Sequence, residues 1–143
     1  MARTAHQIQG DIKRLIEDSD LAEAVSGKVY RGDGDSGERP RDSRLEDIVV
    51  IFTTGVPDQI HEGVVTVNIF VPDIDIYGKG ELVEDGKRCE ELEMAAAKWY
   101  GSLNGKTDYL FSLEDTIHTS YAPELHQHFV VVSLRYRCYE EDY

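Results

Sequence analysis

The longest extended apolar run lies near the middle of the chain, Glu62-Gly-Val-Val-Thr-Val-Asn-Ile-Phe-Val-Pro-Asp73. Val64, Val65, Val67, Ile69, Phe70 and Val71 are β-branched or aromatic, which suits a pleated and mostly buried surface. Pro72 closes the run, because proline has no N–H to give to a sheet ladder. A second run, Asp47–Thr54, lies just upstream. The link Gly55–His61 contains Gly and Pro, so the two runs predict an antiparallel hairpin with a longer loop.

Helical periods flank this hairpin. Ile8, Ile12, Leu15 and Ile16 share one face, which predicts an amphipathic helix from Thr4 to about Val25. Thr4 is its expected N-cap, and Gly10 costs it about 1 kcal/mol relative to alanine. Asp18-Ser-Asp20 is expected to break it before a short second piece that Gly27 ends. Cys89, Leu92, Ala96, Trp99 and Leu103 repeat at alternating steps of three and four, predicting a core-facing helix over Asp85–Leu103. Asp85 is its expected cap, with acids crowding the first turns and Gly105 ending it.

The remaining segments are extended or irregular. Lys28–Arg31 predicts a short strand, and Asp108–Tyr121 one strand interrupted by polar residues. Ala122–Leu125 predicts a turn, and His126–Tyr139 a long strand with Val130, Val132, Leu134, Tyr136 and Cys138 on one face. Glu140–Tyr143 is expected to fray. Gly32–Arg44 has loop composition and no apolar residue to anchor it, so a mobile loop is expected; Ile74–Glu84 is a second mobile connection. The whole chain, residues 1–143, then forms a single α+β domain: a mainly antiparallel sheet with two helices packed on one face. The other face is left to solvent or a partner.

Charge narrows the function. The net charge is −13, and both halves are acidic, which argues against ordinary nucleic-acid binding. No apolar run reaches membrane-spanning length and no secretion signal is legible, so a soluble protein made in the cytoplasm is expected. Cys89 and Cys138 match no metal or redox spacing and are expected to be reduced, buried thiols.

The chain carries no Gly-rich phosphate loop, nucleophile elbow or HExxH motif, and no catalytic residue and no cofactor are expected. One constellation bears on metals. If the last hairpin is centred near Pro123, His118 falls opposite His128, and His126 shares the face of His128. Three imidazoles would then converge as zinc or nickel ligands. Polar strand ends near a turn carry histidine for solvation alone, so no tight transition-metal site is expected.

Gly27-Lys-Val-Tyr30, Arg39-Pro40, Glu46-Asp-Ile-Val-Val50, Val65-Thr-Val-Asn-Ile-Phe-Val-Pro-Asp73 and Gln127-His-Phe-Val-Val-Val132 carry a resemblance. In these residues and in the order of its elements, the chain resembles the tail-terminator (tail-completion, minor tail) proteins of long-tailed phages and prophages. The resemblance runs from the first helix to the final strand. It implies a tail-terminator-like α+β subunit that assembles as a hexameric ring, stops tail-tube polymerisation and contributes to head–tail joining. The implied partners are further copies of itself, the tail tube protein and the head connector protein, with DNA passing through unread. The implied location is the virion tail, after assembly in the host bacterial cytoplasm.

Arg39, Arg41 and Arg44 are candidate subunit-interface residues, since guanidinium forks pair with acids and the chain is acidic. The loop is expected to order against a neighbouring subunit, and its arginines to be dispensable for the fold; a merely solvated loop is the alternative. Two other functions compete: a small-molecule or metal-binding α+β enzyme, and a regulatory interaction domain of a mobile element. The enzyme would have a closed pocket with buried polar groups.

Overall fold

The computed structural model describes residues 2–32 and 37–140. The two central apolar runs pair as an antiparallel hairpin, β2 (Ile48–Val56) and β3 (Ile60–Pro72). Its loop is shorter than expected, because Gly55, Val56, Ile60 and His61 all lie within the strands. A bulge between Phe52 and Thr54 shifts the register, and the Thr53 hydroxyl reaches that of Thr66 at 2.9 Å.

The other strands are β1 (Val29–Gly32), β4 (Leu110–Leu113), β5 (His118–Ala122) and β6 (Gln127–Tyr139). They complete a six-stranded sheet ordered β1-β2-β3-β6-β4, with β5 also on β6. β3 and β6 pair antiparallel over their whole lengths, from Ile60↔Tyr139 to Pro72↔Gln127. Pairing is mostly antiparallel, as expected; the exception is β1, which runs parallel to β2 because the long connection between them allows a crossover. The single strand expected over Asp108–Tyr121 is two. β4 pairs with Arg137–Leu134 and β5 with Val131–Gln127, so the polar stretch between them breaks the strand.

Three helices cover one face of the sheet. They are α1 (Ala5–Glu17), α2 (Asp20–Ala24) and α3 (Gly86–Gly101). Thr4 caps α1 in a capping box with Gln7. The expected break falls before α2, whose Leu21 is buried. Asp85 caps α3 by accepting from the Arg88 N–H, but no acid sits in the first turn, and the helix ends at Gly101, with Ser102 as its C-cap, ahead of Gly105. The core joins Ile8, Ile12 and Ile16 of α1 and the α3 stripe to Ile48, Val50, Val65, Val67, Ile69, Val130, Val132 and Leu134. Both cysteines are free and buried.

The chain end departs from expectation. Glu140 is 4% exposed rather than frayed; its carboxylate accepts the Arg3 backbone N–H at 3.2 Å and faces His61. The rest of the expected frayed tail, 141–143, lies outside the described residues, as does 33–36 of the expected mobile loop. The connection after β3 is closed by an Ile74↔Val83 bridge, with the Asp75 carboxylate accepting from the Lys79 and Gly80 N–H groups. Among the described residues no helix is long and apolar enough to cross a membrane.

Gly63 stands opposite both Tyr136 and Gly55, and this glycine pair makes room for the Tyr136 side chain. A Cβ at Gly63 would lie 2.6 Å from the Tyr136 hydroxyl and closer still to the Thr54 carbonyl oxygen. Gly63→Ala is therefore expected to cost about 1–3 kcal/mol through overpacking. Chemical denaturation measures it; an unchanged midpoint would mean that the sheet absorbs the methyl group freely.

Candidate assembly surface

Strand alternation sends one set of side chains into the core and the other to the face without helices. On that outer face lie Val49 and Ile51 of β2, Val64, Thr66, Asn68 and Phe70 of β3, and Phe129, Val131 and Ser133 of β6. Val49 is buried and the rest are half-buried; six of the nine are apolar, with Thr66, Asn68 and Ser133 polar among them. Arg135 and Arg137 follow on β6, paired with Glu114 and Glu62. At the end of the sheet Val56, Ile60 and Tyr139 stand exposed together around the hairpin tip, with Ile60 directly opposite Tyr139.

The loop after β1 crosses this face and is pinned by a charged residue. The Arg39 side chain is 9% exposed and the Asp47 side chain 0%. Arg39 Nε donates to Asp47 Oδ2 at 2.9 Å, and its Nη2 donates to Gln127 Oε1 at 2.9 Å and to the Ser43 and Leu45 carbonyl oxygens. The guanidinium also lies over the Phe70 ring, 4.1 Å from its centroid. Asp47 accepts in addition from the Lys28 N–H and the Ser43 hydroxyl, and Gln127 donates to the Ser43 carbonyl oxygen. Gly27 passes so close that a Cβ there would overlap the Asp47 carboxylate. Buried charges persist where they are paired and hydrogen-bonded, and here Asp47 is paired with Arg39, whose Nε and Nη2 both donate.

The expectation that nothing anchors the loop is thus corrected: a buried ion pair does what an apolar anchor would. Arg39 is turned into its own chain. Arg44 is also used within the chain, donating to the Leu125 carbonyl oxygen at 2.8 Å, but it is exposed there. Arg41 is exposed and lines a cleft of about 520 Å³ between the loop and the sheet. Val49, Ile51, Asn68 and Phe70 form the sheet side of that cleft, and the Asn68 side-chain oxygen is buried with no hydrogen-bond partner among the described residues.

The anchor unites distant segments. Gly27, Lys28, Arg39, Asp47, Phe70 and Gln127 come from the five stretches that carry the resemblance, and all meet at this one network.

The three histidines do not converge. His118 pairs with Val131, not His128, because the turn takes Pro123–Leu125 and then His126 in the left-handed conformation at φ 53°. Tyr121 stands opposite His128 instead and stacks on it at 4.6 Å. His118 projects to the outer face and His128 to the helix side, where its Nδ1 bonds Asp73 Oδ1 at 2.7 Å. His126 is exposed and outside the strand's alternation.

A polar cluster that the sequence reading missed lies at the opposite end of β6. The Tyr136 hydroxyl is 3.0 Å from His61 Nε2, and His61 Nδ1 is 3.2 Å from Glu140 Oε1. Cys138 Sγ donates to the same carboxylate oxygen at 3.6 Å. Burial works against charge on Glu140, but the Arg3 N–H and His61 bonds outweigh it and hold the carboxyl below its ordinary range. Burial pushes the Tyr136 hydroxyl up to about 12 and the Cys138 thiol up to about 11. An ionised Glu140 only accepts, so His61 Nδ1–H donates to it, and Nε2 accepts a hydrogen bond from the Tyr136 hydroxyl. Sequence pattern places His61 in a loop and Glu140 at a frayed end; only the alternation that puts Cys138 in the core points here.

No protein-family model matches this chain, and no curated protein matches it.

Proposed function

We propose that this chain is a structural subunit of a long-tailed phage or prophage that caps the tail tube as a ring. It ends tube polymerisation and contributes to head–tail joining. The observation that carries this reading is the loop anchor: five scattered stretches resembling tail-terminator proteins meet in one network that holds a loop across the helix-free, largely apolar sheet face. Such a face, with Val56, Ile60 and Tyr139 exposed at its tip, suits burial against another subunit or the tube. The acidic charge suits a conduit to which DNA does not stick.

The anchored geometry changes which arginines are suited to reach a neighbour. Arg39 is committed to Asp47, so Arg41 and Arg44 are the residues proposed for the subunit contact, paired with acids of the next copy. Arg41→Glu with Arg44→Glu is expected to move stability by less than about 1 kcal/mol, since both are exposed. The same variant is expected to give tails of uncontrolled length or tails that do not join heads, scored by electron microscopy and plating. Light scattering during size-exclusion chromatography, on free protein and on tails, reports the ring itself. Normal tail completion by a normally folded variant would remove the loop from the proposed contact.

A further inference from the structure

We propose that His61, Cys138 and Glu140 form a binding site for one zinc(II) ion, at the end of the sheet remote from the loop anchor. A ring nitrogen of His61, Cys138 Sγ and a Glu140 carboxylate oxygen all lie within 4.8 Å of one another, and all three residues are buried. An imidazole, a thiolate and a carboxylate make a set that a borderline ion such as zinc takes readily. The spacing also fits. Tetrahedral zinc, with bonds of about 2.0–2.1 Å to nitrogen and oxygen and about 2.3 Å to sulfur, separates N from O by about 3.3 Å and S from O by about 3.5 Å. The observed separations are 3.2 Å for His61 Nδ1 to Glu140 Oε1 and 3.6 Å for Cys138 Sγ to the same oxygen.

The surroundings are those of a supported site. His61 and Cys138 are directly opposed partners on β3 and β6, so two paired strands hold their backbones. The Tyr136 hydroxyl lies on His61 Nε2, where it orients the ring and would accept a hydrogen bond from Nε2–H once Nδ1 holds the ion. The Arg3 N–H fixes the shared carboxylate oxygen. Thiolate and carboxylate together offset the charge of a divalent cation, and the Arg3 guanidinium near Cys138 is the remaining charge beside the site. On binding, the ion takes the thiolate and the thiol proton leaves to solvent. Arg3 packs over Tyr109, with its guanidinium carbon 4.8 Å from the ring centroid, and its backbone lies over Glu140; lifting this short segment ahead of α1 gives the ion its route. The inference stands apart from the proposed tail role, since it uses none of the assembly surface.

Cobalt(II) and zinc(II) are the probes. Chelator-treated protein titrated with cobalt(II) is expected to bind one ion per chain, with near-ultraviolet thiolate-to-cobalt charge transfer and visible bands of tetrahedral intensity, both displaced by zinc. Loss of an outer-shell partner costs 10–100-fold in metal affinity, so Cys138→Ser is expected to weaken zinc binding by more than about 100-fold and to abolish the charge transfer. Cys89→Ser and His126→Ala are expected to leave both unchanged. Glu140→Gln keeps the thiol and the shape, and is expected to retain the charge-transfer band at much reduced affinity, which covers a Cys138 variant that folds poorly. No cobalt band at stoichiometric metal would overturn the site and leave a closed hydrogen-bond network. A band that survives Cys138→Ser, or is lost in Cys89→Ser, would overturn it equally.

Discussion

Arg39→Ala is expected to destabilise the fold by about 3–5 kcal/mol, the usual cost of removing one partner of a buried ion pair. Asp47 would keep its bonds from the Lys28 N–H and the Ser43 hydroxyl, yet lose the only guanidinium that faces it among the described residues. Gln127 and two carbonyl oxygens of the loop would lose a donor as well. For a chain of this size the change corresponds to a fall of roughly 10–15 °C in Tm. This reverses the expectation that all three loop arginines are dispensable for the fold. Denaturant midpoints at unchanged slope measure it, and a double-mutant cycle with Asp47→Ala is expected to show a coupling of about 1–3 kcal/mol. A single-variant loss below about 1 kcal/mol would mean that the pair is wet and the loop held by other bonds.

Trp99→Ala should cost a similar amount, about 3–5 kcal/mol, for a different reason. Trp99 is 5% exposed on the α3 stripe, between the helix and the sheet, and its removal leaves a cavity. Its indole N–H is buried with no partner among the described residues, which costs free energy in the native protein. Trp99→Phe removes that unpaired donor while keeping most of the ring, so it is expected to cost less than about 1.5 kcal/mol. The two variants separate volume from polarity. Equal losses would mean that the N–H does find a partner in solution; a small loss for alanine would mean that the indole is not a core element.

The function proposed for the chain rests on how its surface residues are placed, and placement was legible only where one period decides it. The α3 stripe was readable because helical spacing alone puts Cys89, Leu92, Ala96 and Trp99 on one face, whatever they meet. The same holds for Val130, Val132, Leu134, Tyr136 and Cys138, which strand alternation puts together. The histidine arrangement failed because it needed the length of a turn. Putting four residues between Ala122 and Gln127 moved His118 from His128 to Val131 and onto the opposite face.

Local pattern therefore determined the helices, the central hairpin, the caps at Thr4 and Asp85, the buried thiols and the α+β class, because each follows from neighbours a few residues apart. Tertiary structure decided the rest. Arg39 is a loop residue by composition; it becomes an anchor only because Asp47 and Gln127, eight and 88 positions away, are brought to it. Glu140 looks like a frayed end, and becomes buried because Arg3 and His61, 137 and 79 positions distant, close around it. A polar residue joins a buried network when partners elsewhere repay its desolvation, and the identity of those partners is a property of the sheet register, not of the residues beside it.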